Sequence, residues 1–219
     1  DRLQQRIDKV LVNTGERTVQ IRVACRIAPP VLAHGFACSY VYTIYGNGNV
    51  TIKVQGEPQG ELPVLPRIGL QMILAPQLTQ VQWYGRGPGE SYVDSKLANR
   101  FDLYACHVDD LHFPYVYPQE HGNRTDVYWV SLTDLRGMGV FATANAPLNF
   151  SAHRFSTKDL EEARHTDELI WRDEIYLNLD YRQNGLGSGS CGPKVLPQYE
   201  LESHAFCFAV RLTPYSVDS

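Results

Sequence analysis

Along most of the chain, apolar and polar residues alternate at a period of two, the spacing that sends successive side chains to opposite faces of a half-buried strand. Thr18 to Ile27 is the clearest case. Ala37 to Tyr45 and Val50 to Gln55 repeat the pattern on either side of Gly46-Asn47-Gly48-Asn49, residues that suit the positive φ angles of a tight hairpin. Leu65 to Leu74, Gln80 to Tyr84 and Leu97 to Cys106 read as further strands, and Asp126 to Leu132 turns through Asp134-Leu135-Arg136-Gly137 into Gly139 to Ala142. Asp173 to Tyr181 and Tyr199 to Leu212 complete the set, with Phe206 and Phe208 on the face opposite Cys207. One short helix is expected after Ser156-Thr157-Lys158-Asp159, where a serine three residues before an acid makes a capping box. Asp1 to Val10 carries charges at mixed spacing and reads as a segment entering from a preceding domain.

So many strands and one helix predict an all-β fold, a large antiparallel β-sandwich of meander type. Its 219 residues, 43% of them hydrophobic, suffice for one core, so residues 1–219 are expected to form a single domain. Lys and Arg number 20 against 24 Asp and Glu, giving a net charge of −4 without a basic cluster, which excludes a nucleic-acid binder. No apolar run approaches the roughly 20 residues of a bilayer span, and no signal peptide is visible. The five cysteines, Cys25, Cys38, Cys106, Cys191 and Cys207, are odd in number and lack CxxC spacing, which fits a reduced, cytoplasmic protein. The strand-borne ones read as small core residues.

The seven histidines offer only one close pair, His107 and His112, so no zinc site is expected. His121 reads as a hydrogen-bonding partner for a nearby carboxylate. No serine sits on a nucleophile elbow, and the glycines from Gly185 to Gly189 lack the lysine and following helix of a phosphate loop.

Unusual residues concentrate between Trp83 and Asp126. One loop runs GRGPGESYVD from Gly85 to Asp94, and a second runs PYVYPQEHGNR from Pro114 to Arg124. Each mixes glycines and prolines with carboxylates, an arginine and aromatic rings, which makes for stiff polar loops. One account has Arg86, Glu90, Asp94, Glu120 and Arg124 forming ion pairs that lock two connections onto a sheet. The other makes Glu90 and Glu120 a carboxylate pair for sugar chemistry with rings stacked on pyranose faces. Periodicity does not choose between them.

The two loops resemble the signature of the C-terminal β-sandwich domain of glycoside hydrolase family 2 β-galactosidases, in which GRGPxExYxD is followed by PYxxPQExGxRxD. A third segment, Gly187 to Pro193, resembles the near-terminal SCGP loop of that domain, and an LPRIG-like strand precedes the motifs in the same order. The resemblance spans about Pro66 to Pro214. It implies a galactose mutarotase-like supersandwich cut from a longer retaining enzyme that hydrolyses terminal β-D-galactose residues, with both catalytic glutamates in a barrel domain absent here. It therefore implies no catalytic residue in this chain. Arg86, Glu90, Tyr92, Asp94, Glu120, Arg124 and Asp126 become structural motif residues, and Ser190, Cys191 and Gly192 a loop leaning into the active site of the barrel. Where the best-known bacterial enzyme has tryptophan, this chain has Cys191, which offers no aromatic face to a sugar. The implied partners are the remaining domains of the same polypeptide, a β-galactoside, and further copies in a homo-oligomer. Magnesium and sodium are implied for the parent enzyme, mainly outside this domain, with a weaker implication of sodium at the Tyr117-Pro118 bend near the Leu160 helix.

Two rival readings remain. A stand-alone carbohydrate-binding module would use some of the 13 tyrosines and 3 tryptophans to line a sugar groove. An aldose epimerase would need a histidine and a carboxylate converging on a concave face, for which His107 and Glu120 are the nearest pair.

Overall fold

The computed structural model describes residues 3–188 and 192–216. Its strands are β1 (Gln4–Thr14), β2 (Thr18–Ala28), β3 (Gly35–Tyr45), β4 (Val50–Gln59), β5 (Arg67–Leu74), β6 (Gln80–Gly87), β7 (Arg100–His107), β8 (Arg124–Thr133), β9 (Met138–His153), β10 (Ile175–Gln183) and β11 (Phe206–Ser216). Helix α1 (Thr157–Glu162) lies between β9 and β10. All ladders are antiparallel, and the main path runs β1-β2-β3-β4-β11-β9-β8-β6-β7.

The sheet becomes a sandwich because β9 changes partners along its length. Met138 to Ala144 pairs with β11, whereas Asn149 to His153 pairs with β10, which in turn carries β5. The branch β10-β5 thus folds back over β4 and β11. Ile68, Leu70 and Met72 of β5 meet Tyr40, Tyr42, Val54 and Phe208 across a core that also holds Trp83, Val130, Phe150, Leu177 and Leu179. Trp83 is 1% exposed, packs against Tyr104 and Phe150, and donates its indole N–H to the Arg86 carbonyl at 3.0 Å. Burying so large a ring with its one donor satisfied is among the larger apolar contributions a sandwich can make.

The residue pattern located each of these strands except β1, but of β9 it located only Gly139 to Ala142, because Asn145-Ala146-Pro147 interrupts the alternation. Asp1 to Val10 was expected to be a lead-in, yet Gln4–Thr14 is a full edge strand. Its ladder skips a partner between Ile7 and Lys9, a bulge at Asp8, and that extra residue reverses the alternation halfway along and hides the pattern. All of β1 is exposed, including Ile7, Val10, Leu11 and Val12. The closing strand starts at Phe206 rather than Tyr199, because Pro197–Tyr199 forms a tight 3-10 turn and Leu201 donates its N–H to the Asn184 side chain instead of a ladder. Lys96–Ala98 is likewise a 3-10 turn ahead of β7. Cys25 and Cys38 are buried opposite one another on β2 and β3 and Cys106 is half-buried, but Cys207 is exposed, so it is no core residue. Each of these described cysteines is a free thiol. Among the described residues, no helix is long and apolar enough to cross a membrane.

The helix obeys its capping box. Ser156 Oγ accepts from the Asp159 amide at 3.2 Å, and the Asp159 carboxylate accepts from the Ser156 amide at 2.7 Å. Arg172 then closes on Asp159 through two bonds of 2.8 and 2.7 Å, a pairing that sequence spacing did not reveal. Hydrogen bonds from Arg172, together with those from Ser156, hold the Asp159 carboxyl far below the usual carboxylate range despite its burial. Phe155, Leu160, Ala163 and Leu169 form a small apolar cluster around the helix.

Gly69 of β5 faces Asp180 of β10 beside a second bulge, and a Cβ added there would lie 2.0 Å from Asp180 Oδ1 and 2.7 Å from its Cα. Gly69→Ala must push backbone as well as side chain, so urea unfolding is expected to show a loss of about 1–3 kcal/mol. An unchanged midpoint would show that the β5–β10 pair has slack that these distances deny.

Candidate functional site

The two loops singled out by composition meet along one seam. Ser91 donates its amide to the Asn123 carbonyl at 2.7 Å, and the Asn123 side chain returns a bond of 2.8 Å to the Ser91 carbonyl. The Ser91 hydroxyl lies 2.9 Å from that of Thr125 and accepts from the Thr125 amide at 3.1 Å. Ser91 and Asn123 are fully buried, so these bonds satisfy polar groups that would otherwise be costly to hold away from water.

Glu90 and Asp94 reach out on either side of this seam. Glu90 Oε2 accepts from the Gly122 amide at 2.8 Å, while Oε1 accepts from the Tyr115 hydroxyl. One carboxylate thereby ties both ends of the second loop. Asp94 Oδ2 accepts from the Gly187 amide at 2.7 Å, and Oδ1 receives a longer contact from the Leu186 amide at 3.4 Å. Gly187 has φ of +62°, and a Cβ there would meet Val195 at 2.8 Å, so glycine is needed both for the turn and for the close approach. The third segment is further fixed at its base by the Gly185 amide on the Tyr199 carbonyl at 3.0 Å. The first motif is therefore a bracket with two carboxylate arms, one on each of the other motifs.

The expected ion-pair lock is only partly present. Arg86 pairs with Asp126 at 2.6 Å and Lys96 joins the same carboxylate at 2.9 Å, while Glu120 pairs with Arg67 at 3.3 Å. Glu90, Asp94 and Arg124 instead bond to neutral groups. Arg124, 4% exposed, donates to the carbonyls of Gly122 and Pro88 at 2.7 and 2.9 Å and lies over the Trp83 ring. Carbonyls and a ring face take up a guanidinium here because the loop backbone turns its oxygens toward it. Tyr92 is buried beneath the loops, and burial, with Glu120 and Glu90 nearby, drives its phenol pKa strongly upward. Asp126 adopts φ of +54°, uncommon outside glycine. Burial alone would raise its pKa, but the bonds from Arg86 and Lys96 outweigh that and hold it below the ordinary value.

Glu120 also accepts from Gln183 at 3.0 Å, and its partner Arg67 makes a second, tighter pair of 2.6 Å with Asp180. Asp180 is 2% exposed, and burial lifts its pKa to about 6 despite Arg67. His107 sits elsewhere, with its imidazole on Asp109, so it does not converge with Glu120 as an epimerase site would require. Among the described residues, His121 bonds no carboxylate. Its Nδ1 donates to the Gln119 carbonyl at 2.8 Å, leaving Nε2 to accept from His112 at 2.8 Å. His153 beneath them donates Nε2 to the His121 carbonyl at 3.0 Å, and its buried Nδ1 has no partner. Sequence spacing gave no sign of this stack, because its members come from widely separated positions.

Ser190 and Cys191 lie outside the described residues, and Gly192 donates to the Ser188 carbonyl at 2.6 Å. Tyr117, Pro118 and Leu160, beside which the resemblance places sodium, do line one cavity of about 460 Å³ together with Glu120. Among the described residues, no group of three His, Cys, Asp or Glu side chains is arranged to hold a metal ion. Of the tryptophans, Trp83 belongs to the core and only Trp171 is well exposed, at 49%.

The chain is an antiparallel sandwich in which the Glu90 and Asp94 carboxylates brace loops. Residues 2–212 match the family described as "Beta galactosidase small chain", and the chain belongs to that family. It is 36% identical over 213 residues to the β-galactosidase of Kluyveromyces lactis, covering 95% of this chain and 20% of that protein. It is 35% identical to that of Photobacterium profundum, covering 80% and 17%, and 33% identical to that of Staphylococcus xylosus, covering 84% and 18%. The chain thus spans about a fifth of the length of these relatives. A solved GalM/aldose epimerase homologue from C. elegans aligns over 94% of this chain and 68% of its own, at 8% identity and a TM-score of 0.34, a likeness too slight to bear on activity.

Burial, with His121 adding to it, pushes the His153 pKa well below its ordinary value. The folded chain therefore holds fewer protons than the unfolded one below about pH 6.5, and stability falls as the solution is acidified. Wild type is expected to lose up to about 1.4 kcal/mol per pH unit more than His153→Asn between pH 6.5 and 5. Parallel urea-unfolding profiles for the two would remove the histidine from the account.

Proposed function

We propose that this chain forms one domain, the C-terminal part of a β-galactosidase that hydrolyses terminal non-reducing β-D-galactose residues, and that it supports the fold while holding the Gly185 to Pro193 loop toward an active site built elsewhere. The grip of Asp94 on Gly187 carries this reading, because it couples the first motif to the loop in a single bond of 2.7 Å. Glycosidase chemistry of the retaining kind needs two carboxyl groups about 5 Å apart and free to reach the sugar. Glu90 is engaged by Tyr115 and Gly122, and Glu120 by Arg67 and Gln183, so each is committed to neighbours within the fold. The reacting glutamates, the magnesium and most of the substrate contacts are assigned to the remainder of the polypeptide, as is the surface that joins copies into an oligomer. Free thiols on Cys25, Cys38, Cys106 and Cys207 accord with a cytoplasmic enzyme. The uncovered apolar residues of β1 suit a contact with that remainder.

The isolated chain is expected to release no galactose from lactose. In the parent polypeptide, Asp94→Asn should raise KM for a β-galactoside several-fold with a smaller change in kcat, and amide exchange at Leu186 and Gly187 should quicken while the β8 amides stay protected. Hydrolysis by the chain alone that vanished on Glu90→Gln or Glu120→Gln would overturn the assignment.

A further inference from the structure

A second cavity, of about 350 Å³, opens between the corner where the first two motifs meet and the base of the third. Its lining is mainly hydrophilic, with Lys96 and Asp126 on one side, Asn149 and Arg182 from β9 and β10 on another, and Gln198 and Glu200 from the turn before β11. Lys96 is spent on Asp126. Asn149, Gln198 and Glu200 make no hydrogen bond or ion pair through their side chains among the described residues, and Arg182 does no more than cover the Tyr181 ring.

Unspent hydrogen-bonding groups are ordinary on an open surface. Here they converge on one concavity, with the half-buried Asn149 among its walls. A ligand seated there could bond to several of them at once. The charges on the walls balance, Lys96 and Arg182 against Asp126 and Glu200, so neither an anion nor a cation is favoured. Half-buried Tyr199 adds a ring to the wall. Neutral overall charge, several donors and acceptors at once, and an aromatic flank are the features that suit a ring bearing many hydroxyls. Asp126, held at φ of +54° by Arg86 and Lys96, gives the cavity a rigid edge.

We propose that this cavity binds a neutral hexopyranose, free or at the end of an oligosaccharide, at a site separate from the loop assigned to the catalytic centre. The site requires no contribution from that loop beyond Gln183 ahead of its base, so it stands whether or not the loop reaches a substrate.

The probes are D-galactose and lactose, titrated into the 219-residue chain and followed by amide-shift NMR. Saturable shifts are expected at Thr125, Asn149, Arg182 and Gln198, with a dissociation constant on the order of 1–10 mM. The double variant Asn149→Ala, Gln198→Ala, which alters no packed apolar residue, should weaken binding at least tenfold, or about 1.4 kcal/mol. Tyr117→Ala, in the neighbouring cavity, should leave it unchanged. Absence of saturation up to about 100 mM would overturn the proposal, as would binding that survives the double variant or is abolished by Tyr117→Ala. These outcomes are separable from failure of the loop assignment, which is read from hydrolysis by the parent polypeptide.

Discussion

Two carboxylates four residues apart set the geometry of everything that is unusual in this protein. Glu90 and Asp94 leave one short loop in opposite directions and accept from backbone amides of two others, Gly122 and Gly187. Charge-assisted bonds to backbone N–H groups fix position in a way side-chain pairs do not, because the donor has no rotamer to change. Each donor is a glycine with positive φ, +72° at Gly122 and +62° at Gly187, so the carboxylates act where the chain has turned its amides outward. The buried joint between Ser91 and Asn123 supplies the rigidity that lets the bracket act at a distance.

The sandwich beneath carries that bracket. Strand β9 is long enough to serve two branches, and the core formed by Trp83, Phe150, Leu177 and Leu179 lies where the branches close. Arg124 joins the two levels, with its guanidinium over the Trp83 ring and its donors on loop carbonyls. An arginine suits this place better than a lysine, since its planar fork can serve separate acceptors while its face packs on an aromatic ring. Arg67 plays a matching part on the other flank, bridging Asp180 in the sheet and Glu120 in the second loop.

Strand positions were legible because a sandwich buries one face of each strand, and that asymmetry writes itself into alternate residues. It failed at β1 for a local reason, the bulge at Asp8, and at the start of β11 because Tyr199 to Ala205 keeps the alternation while bonding to loops. The helix cap was legible because its partners are three residues apart, while Arg172, which completes it, lies 13 residues away from Asp159. Motif composition pointed to the correct loops and to the family, but it suggested ion pairs where the protein uses amides. A carboxylate in a sequence does not disclose whether its partner is a cation or a backbone N–H, since the latter has no letter of its own.

That last difference bears on how the third loop is held. An ion pair between motifs would tolerate exchange of its members and some play in distance, whereas a carboxylate on a glycine amide demands that glycine, that turn and that side-chain length together. Removing the carboxylate at Asp94 would break the bond to the Gly187 amide, and a Cβ at Gly187 would meet Val195 at 2.8 Å. The strictness belongs to a turn whose position is set by backbone geometry and side-chain reach together.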